Sequence, residues 1–214
     1  MNSTELLEYF RLQVMDNVRN PYLWSDSEII TYMNEAQSMF CRLTDGIADA
    51  TTREVIAVPI VTGEIFAETH PSILHFRTAS MVSTGNELDI KNHTDIHKWT
   101  NQTGSVTQLI IGLQDNLVRW NYTPAVDDEV NLLVYRLPLE DITDVDQDLE
   151  IDIRHHVSLV EWMKKLAYSK QDTETFDTDA SKKGELAFRL YCAQAKLEQE
   201  RYKHKPRSVA YGGI

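Results

Sequence analysis

The chain has 214 residues, enough for one domain or for one domain with a sizeable insertion. Hydrophobic residues make up 42% and charged residues 25%, proportions that exclude wholesale disorder. The net charge of −12 argues against a dedicated nucleic-acid binder, because Lys and Arg neutralise phosphate in such proteins. No apolar run approaches the roughly 20 residues that span a bilayer, and the acidic N-terminal segment MNSTELLEYF does not resemble a signal peptide.

The charge is distributed unevenly along the chain. Residues 1–181 contain 30 acidic and 13 basic side chains, a net charge of −17. Residues 182–214 contain 3 acidic and 8 basic side chains, a net charge of +5. A chain polarised in this way can pair head to tail with copies of itself or with other charged surfaces.

The first predicted element is a helix over about residues 4–19, which ends before Pro21. Its expected apolar face consists of Leu7, Phe10, Val14 and Val18.

A second helix is predicted from a capping signal that starts at Trp24. Ser25 at the N-cap and Glu28 three residues later form a capping box, and Trp24 and Ile29 form a hydrophobic staple around it. The apolar residues that follow have helical spacing and predict a buried seam. This seam consists of Ile29, Met33, Ala36, Phe40, Leu43 and Ile47.

From about residue 52 to residue 139 the apolar period changes from 3.6 to 2, which predicts strands. The predicted strands cover 55–60, 73–76, 109–111, 118–122 and 130–135, with a sixth short one at 87–90. No helix of a dozen residues separates these runs, so an antiparallel sheet or small sandwich is favoured over parallel βαβ units.

Helical spacing returns after an acidic segment at 140–152 that contains seven carboxylates. The third helix is predicted to bury Ile153, Val157, Val160, Met163 and Ala167, with Trp162 and Leu166 broadening this face. The fourth helix is predicted from about residue 179 to residue 202, and its expected buried stripe consists of Leu186, Leu190, Ala193 and Leu197.

Together these elements predict an α+β fold. Residues 1–50 and 140–205 are expected to form an antiparallel helical bundle with two N-terminal and two C-terminal helices. Residues 51–139 are expected to form an inserted antiparallel β domain, and residues 206–214 an extended C-terminal tail.

The pattern of potential ligands predicts neither a metal site nor a cofactor site. Cys41 and Cys192 belong to no CxxC motif, so we interpret them as small core residues. His93 and His97 are four residues apart, but Thr94 occupies the position where a zinc HExxH motif has Glu. We therefore expect them to lie on the surface in a short loop or turn.

The acidic segment has part of the pattern of a calcium-binding loop. Asp144, Asp146 and Asp148 fit the first three ligand positions of an EF-hand. Leu149 stands where the loop requires Gly, however, and His155 stands where it requires Glu. A solvated connection, or a patch that faces a basic neighbour, is favoured.

No motif indicates an enzyme. The chain contains no GxSxG, no GxGxxG and no phosphate-binding glycine loop, and nothing marks any pair among its 33 acids as catalytic. No catalytic residue is predicted.

The last segment alternates basic and aromatic residues. This pattern is compatible with nucleic-acid binding, with docking on another protein through tyrosine anchors, and with a solubilising tail. The tyrosine and glycines after the last charge favour docking. The residues concerned are Arg201, Tyr202, Lys203, Lys205, Arg207 and Tyr211.

Several segments, taken in order, resemble the head–tail adaptors (connectors or head-completion proteins) of tailed bacteriophages. They are YLWSDSEIITYMNEAQSMFCRLTD, VNLLVYRLPLEDI, HHVSLVEWMKKLAYSKQDTETFD and the ending PRSVAYGGI. The β region at 52–126 matches by position only. The last helix departs from the family pattern, since it reads AFRLYCAQAKLEQERY where that pattern has an Arg-rich end interrupted by glycine.

The resemblance implies a structural virion protein that forms a dodecameric ring under the portal after genome packaging. Such a ring extends the DNA channel, lets double-stranded DNA pass without specific binding, and receives tail or nozzle proteins. It implies a place in the neck of the virion after synthesis in the host cytoplasm, with no cofactor and no membrane contact. The helical bundle would form the ring, and the β insertion would face outward or toward the tail.

The resemblance also implies that the C-terminal segment binds the portal. The residues assigned to this role are Arg201, Tyr202, Lys205, Arg207 and Tyr211. Asp144, Asp146 and Asp148 are assigned to the junction with the insertion. The alternatives are a peptidoglycan-degrading tail hydrolase and a non-viral helical interaction module.

Overall fold

The protein is described by a computed structural model that covers residues 1–16, 21–96, 101–144, 146–171 and 175–203, with the backbone alone for 202 and 203. The fold is α+β, as predicted. The chain divides into two compact units. The helical unit contains residues 1–44 and the chain after residue 140, and the β unit contains residues 45–140.

Five α-helices lie in the described residues. They are α1 (Ser3–Gln13), α2 (Asp26–Leu43), α3 (Arg53–Ile56), α4 (His156–Ser169) and α5 (Thr178–Lys203). Two 3₁₀ turns accompany them, His93–Asp95 in the β unit and Ile153–His155 immediately before α4.

Large apolar side chains from α1, α2, α4 and α5 fill the core of the helical unit. Phe10 and Tyr168 each meet the ring of Trp24 edge to face, with centroids 6.0 Å and 5.7 Å apart. The largest fully buried apolar side chains of this unit are Leu6, Phe10, Trp24, Ile29, Met33, Leu159, Met163 and Phe188.

The predicted length of the first helix is wrong, because α1 ends at Gln13 instead of near residue 19. Met15 has a φ of +58°, and the Asp16 amide donates to the Arg11 carbonyl over 2.9 Å. This turn brings the Asp16 carboxylate to the buried Arg11 guanidinium, 2.6 Å away. A buried charge needs a partner, so the ion pair favours the turn over continued helix. Val18 lies outside the described residues.

The predicted apolar seam of the second helix includes one residue, Ile47, that lies outside the helix. α2 ends at Leu43, and Ile47 belongs to strand β1 (Ile47–Asp49). The cause is Gly46, which has a φ of +85° and would place a Cβ 2.8 Å from the Arg136 carbonyl oxygen. Only glycine fits a backbone conformation and an approach of this kind, and the helix cannot continue through it.

The prediction of strand at residues 55 and 56 is also wrong. The amides of Val55 and Ile56 donate to the Thr52 carbonyl over 2.9 Å and 3.0 Å, which closes the single helical turn of α3. Asp49 accepts from the Thr51 and Thr52 amides and so fixes the turn that precedes it. Burial of Val55 and Ile56 in this turn outweighs the strand preference of β-branched residues.

The β unit contains ten short strands in the described residues. After β1 they are β2 (Ala57–Ile60), β3 (Phe66–Glu68), β4 (Ile73–Met81), β5 (Glu87–Asn92), β6 (Thr103–Gly104), β7 (Gln108–Gln114), β8 (Leu117–Trp120), β9 (Thr123–Pro124) and β10 (Asp128–Arg136). Eight of them form a sheet in the order β1-β10-β4-β5-β7-β8-β3, with β2 also paired to β10. The remaining two, β6 and β9, pair with each other.

Most strand pairs are antiparallel, as predicted, but β5–β7 and β6–β9 are parallel. The parallel pairing of β5 and β7 arises because a 3₁₀ turn and β6 lie on the connection between them, so the two strands are not joined by a hairpin. The core of this unit lies under the sheet and consists mainly of Val55, Val58, Ile60, Ala79, Leu88, Leu109, Val118, Trp120, Val130, Leu132 and Val134.

The predicted buried face of α4 is partly wrong. Val160, Met163 and Ala167 are buried, but Ile153 and Val157 are exposed. The buried face is rotated toward Leu159, Trp162 and His156, because α5 packs against that side. The aromatic ring of Trp162 needs a large partner surface, and Phe188 of α5 provides it.

Candidate functional site

The residues predicted to bind a partner lie at the end of α5 and beyond it. Arg201 is exposed on the last turn of the helix. The backbone at Tyr202 continues the helix, which ends at Lys203. Lys205, Arg207 and Tyr211 lie outside the described residues. The docking role of this segment stays a prediction.

One face of α5 is held against α4 by apolar contacts. Phe188, Cys192 and Ala195 are buried, and the Phe188 ring lies 5.3 Å from the Trp162 ring between centroids. Burial raises the pKa of the Cys192 thiol to about 12. Cys41 and Cys192 are both buried, in agreement with their interpretation as core residues.

A glycine allows the two helices to approach closely. A Cβ on Gly184 would lie 2.7 Å from the Glu161 carbonyl oxygen and 3.2 Å from the Lys165 amide nitrogen. One turn earlier, the Ser181 hydroxyl donates to the Lys165 carbonyl over 3.0 Å. The backbone of α4 therefore lies directly against this point of α5.

A polar contact fixes the register between α5 and the start of α4. The Tyr191 hydroxyl donates to the Arg154 carbonyl over 3.2 Å and lies 2.9 Å from His155 Nδ1. Burial, and secondarily the Arg154 charge, lower the pKa of His155, so its ring is neutral around pH 7. The neighbouring His156 is buried, and its Nε2 lies 2.7 Å from the Ile151 carbonyl oxygen.

The opposite face of α5 carries the leucines that were predicted to be buried, and that prediction is wrong. Leu186, Leu190 and Leu197 are 61%, 60% and 56% exposed, and Ala193 between them is exposed as well. We call these four residues the α5 seam. Their 4-3-4 spacing places them on one side of the helix.

Basic residues border the α5 seam. Lys182, Arg189 and Lys196 follow one another at intervals of seven, which on a helix forms a row beside the leucines. Lys182, Arg189 and Lys196 are exposed, and Arg189 lies 2.8 Å from Glu185. The last helix therefore presents a basic edge along an apolar strip.

The start of α2 is tied to the end of α4 through its cap. The Ser25 amide donates to Glu28 Oε2 over 2.9 Å, and the Glu28 amide donates back to Ser25 Oγ over 3.3 Å. Trp24 and Ile29 on either side are buried. The Lys170 ammonium lies 2.6 Å from Glu28 Oε1, and this contact, followed by the Ser25 amide, lowers the pKa of Glu28 to about 2.

The acidic segment at 140–152 is attached to the first helix. The Thr4 hydroxyl donates to Asp146 Oδ1 over 2.6 Å, and the Gln147 amide donates to Ser3 Oγ over 3.0 Å. In addition, the Asn34 side chain of α2 exchanges two hydrogen bonds with the backbone of Ile142, at 2.8 Å and 2.9 Å. The segment is a pinned connection within the helical unit.

Asn34 was not recognised by sequence reasoning as a contact residue. A polar amide on a largely apolar helix face was the available signal, but its backbone partner is 108 residues away. The Arg11 cluster was missed for the same reason, since its contacts to Asp16 and Asp26 require a turn that the helical pattern does not predict.

The potential metal ligands do not gather into one group in the described part of the chain. His93 lies in the 3₁₀ turn, and His97 lies outside the described residues. In the part of the chain that the structure describes, no group of three or more His, Cys, Asp or Glu side chains is arranged to hold a metal ion. Nor does any described helix combine the length and apolarity needed to cross a membrane.

The last helix presents an exposed apolar strip beside basic side chains. A family model described as SU10 adaptor protein matches residues 1–209, almost the whole chain. The chain belongs to this family of phage head–tail adaptors. No curated protein matches the chain.

Proposed function

We propose that this adaptor is a structural protein of the virion neck that forms a dodecameric ring beneath the portal. The ring extends the DNA channel and provides the platform to which tail or nozzle proteins attach. The observation that carries the proposal is the family match over residues 1–209. The role is structural and assigns the chain no catalytic residue and no cofactor.

In this proposal the two units have separate tasks. The bundle of residues 1–50 and 140–205 forms the ring, and the insertion of residues 51–139 faces outward or toward the tail. The pinned acidic segment supports a rigid ring subunit, because its hydrogen bonds to Ser3, Thr4 and Asn34 join distant parts of the chain.

The charge of the chain supports a channel that does not hold DNA. Residues 1–181 carry a net charge of −17, which repels phosphate. Tight DNA binding needs Lys and Arg against the phosphates, and it would impede passage of the genome. In this proposal, double-stranded DNA passes the ring without specific binding.

We further propose that the basic C-terminal segment attaches the ring to the portal. Arg201 and Tyr202 lie at the end of α5, and Lys205, Arg207 and Tyr211 follow. Arginine and tyrosine are the residues most often found as anchors of protein interfaces. This assignment rests on the sequence pattern together with the family.

The experiment is co-purification of the full chain with the portal protein of its phage, with ring formation followed by electron microscopy. Deletion of residues 206–214 is expected to abolish the association while the circular dichroism spectrum stays unchanged. Arg207→Glu is expected to weaken the association, whereas the matched control Lys91→Glu, a charge reversal at an exposed position of β5, leaves it intact. A truncated chain that joins the portal with full affinity would overturn the docking role. Failure of the full chain to associate with the portal would overturn the proposed function itself.

A further inference from the structure

The α5 seam is an apolar surface without a packing role in the helical unit. Three leucines that are each more than half exposed lie in one row, whereas surface apolar residues usually occur singly. Contiguous exposed apolar surface marks an interaction site. The 4-3-4 spacing is that of the core positions of a helix that packs lengthwise against another element.

The charges beside the α5 seam oppose an antiparallel pairing of two such seams. Lys182, Arg189 and Lys196 form one basic edge. If two seams packed antiparallel, these edges would face each other, and like charges at such flanking positions oppose pairing. The seam therefore fits a partner surface that is apolar at its centre and acidic at its border.

The chain carries a surface of this kind at the start of α4. Ile153 in the 3₁₀ turn and Val157 in the first turn of α4 are 65% and 50% exposed. Asp152 is exposed beside them, and the acidic segment at 140–152 leads directly into this point. Arg154 lies 3.0 Å from Asp152 and offsets its charge, so the other carboxylates of that segment supply the acidic border. We call Ile153 and Val157 with Asp152 the α4 patch.

We propose that the α5 seam of one copy of the chain docks on the α4 patch of the next copy. The contact joins two different surfaces, so it is heterologous, and repetition of such a contact produces a ring if the rotation closes. The inference rests on the proposed function for closure into a ring, and it deepens that function by naming the subunit contact.

The chemistry of the contact follows from the side chains. Leu186, Leu190 and Leu197 bury apolar surface against Ile153 and Val157. The basic edge of α5 then faces the carboxylates that lead into α4, and the charges select the partner and its orientation. The overall charge of the chain supports the pairing, since residues 182–214 are basic and residues 1–181 are acidic.

The proposal is tested by disulfide cross-linking of full-length variants. A chain with Leu190→Cys is mixed with a chain with Val157→Cys and oxidised. The native cysteines do not interfere, because Cys41 and Cys192 are buried. The expected product is a covalent dimer with one chain of each variant, at a much higher yield than when Val126→Cys, a more exposed position in the β unit, replaces Val157→Cys.

Each other outcome overturns the proposal. Cross-linking of Leu190→Cys with itself would show that two seams pair. Cross-linking to Leu12→Cys, at an exposed leucine of α1, and not to Val157→Cys would move the partner surface to α1. A yield for the Leu190 and Val157 pair no higher than for the Val126 control would leave the seam without this partner.

A charge reversal tests whether electrostatic attraction between the basic edge of α5 and the carboxylates near α4 contributes to the contact. Lys182→Glu in the Leu190→Cys chain is expected to lower the cross-linking yield several-fold, whereas Lys91→Glu leaves the yield unchanged. Equal yields for both variants would contradict the electrostatic part of the proposal.

The two proposals fail in different ways. If the full chain forms rings on the portal but gives no cross-link between positions 190 and 157, this inference is wrong and the proposed function stands. If the cross-link forms but the chain does not associate with the portal, the proposed function is wrong and the contact between copies stands.

Discussion

The close approach of α5 to α4 at Gly184 leads to a prediction that runs against helix propensity. In the interior of a helix, glycine is less favourable than alanine by about 0.8–1.0 kcal/mol, so Gly184→Ala would ordinarily stabilise the protein. The added Cβ, however, would lie 2.7 Å from the Glu161 carbonyl oxygen, and ordinary contact begins at 3.4 Å. The atom that it meets belongs to the backbone of α4 and cannot rotate away.

The expected loss of stability follows from the distance by which α4 and α5 must separate to admit the new Cβ. Relief of the contact requires the helices to move apart by about 0.7 Å at this point, and a gap of that size forfeits a quarter to a half of the dispersion energy of the atoms concerned. The contact between Phe188 and Trp162 and the hydrogen bond from Ser181 to Lys165 lie in the same interface. Overpacking costs about 1–3 kcal/mol. After the gain in helix propensity of about 0.8–1.0 kcal/mol is subtracted, we expect a net loss of up to about 2 kcal/mol.

The assay is urea unfolding followed by far-UV circular dichroism, with thermal unfolding in parallel. For a chain of this size, a loss of up to about 2 kcal/mol corresponds to a decrease in Tm of up to about 8 °C. Ala187→Gly, at an exposed position on the same helix, is the control and is expected to cost about 1 kcal/mol through propensity alone. If Gly184→Ala instead raised the stability by about as much as Ala187→Gly lowers it, the close approach would be refuted.

Two further predictions concern the ion pairs. The pKa of Glu28 is about 2 in the folded protein and 4.5 without its partners, so its contribution to stability is present above pH 4.5 and is lost as the pH falls toward 2. We expect Glu28→Gln to reduce the decrease in Tm between pH 4.5 and pH 2, whereas Glu8→Gln at an exposed position leaves that decrease unchanged. Identical acid sensitivity of the two variants would contradict the role of the contact between Lys170 and Glu28. In the β unit, burial raises the pKa of Asp49, but hydrogen bonds to backbone amides and to Arg136, 2.6 Å away, outweigh burial and lower it overall. Asp49→Ala leaves a buried guanidinium without this partner and is expected to cost about 3–5 kcal/mol in urea unfolding, and a loss below about 1 kcal/mol would count against the buried pair.

Local signals in the sequence account for much of the fold. The start of α2 is encoded within one helical turn, since Ser25 and Glu28 bond each other's amides. The change from a period of 3.6 to a period of 2 separates helices from strands, because the side-chain periods of the two structures differ. Signals of this kind need no knowledge of distant partners, and they suffice for the α+β class.

The features that sequence reasoning missed depend on distant partners. α5 carries two apolar stripes, and periodicity alone does not decide which of them is buried. Gly184 allows α4 to approach the side of α5 that carries Phe188, and Phe188 packs there against Trp162. The leucines of the α5 seam lie on the other side of the helix and are therefore exposed to solvent. A glycine in the helix, which costs stability unless contact requires it, was the signal that could have identified the buried stripe.

The dependence on distant partners also explains the errors in the predicted ends of helices. α1 ends early because Asp16 turns back to Arg11. α2 ends three residues before Gly46, which lies against Arg136, about ninety residues further along the chain. Neither partner is visible to a window of a dozen residues. The same holds for the parallel pairing of β5 and β7, which depends on the path of the connection between them.

The pairing of β1 with the end of β10 has a consequence for chain entropy. Ile47 lies opposite Arg136, so the chain enters and leaves the β unit on neighbouring strands, about 5 Å apart. Without this pairing, the two sequence segments of the helical unit would be tethered by a loop of nearly a hundred residues, and the cost of loop closure rises by about 0.6 kcal/mol with each doubling of length. The strand pair replaces that loop with a connection equivalent to a hairpin, about five doublings shorter, which saves about 3 kcal/mol. The inserted sheet therefore lowers the entropic cost of bringing the two sequence segments of the helical unit together. A β unit of any other length or sequence would have the same effect if its two ends met in the same way.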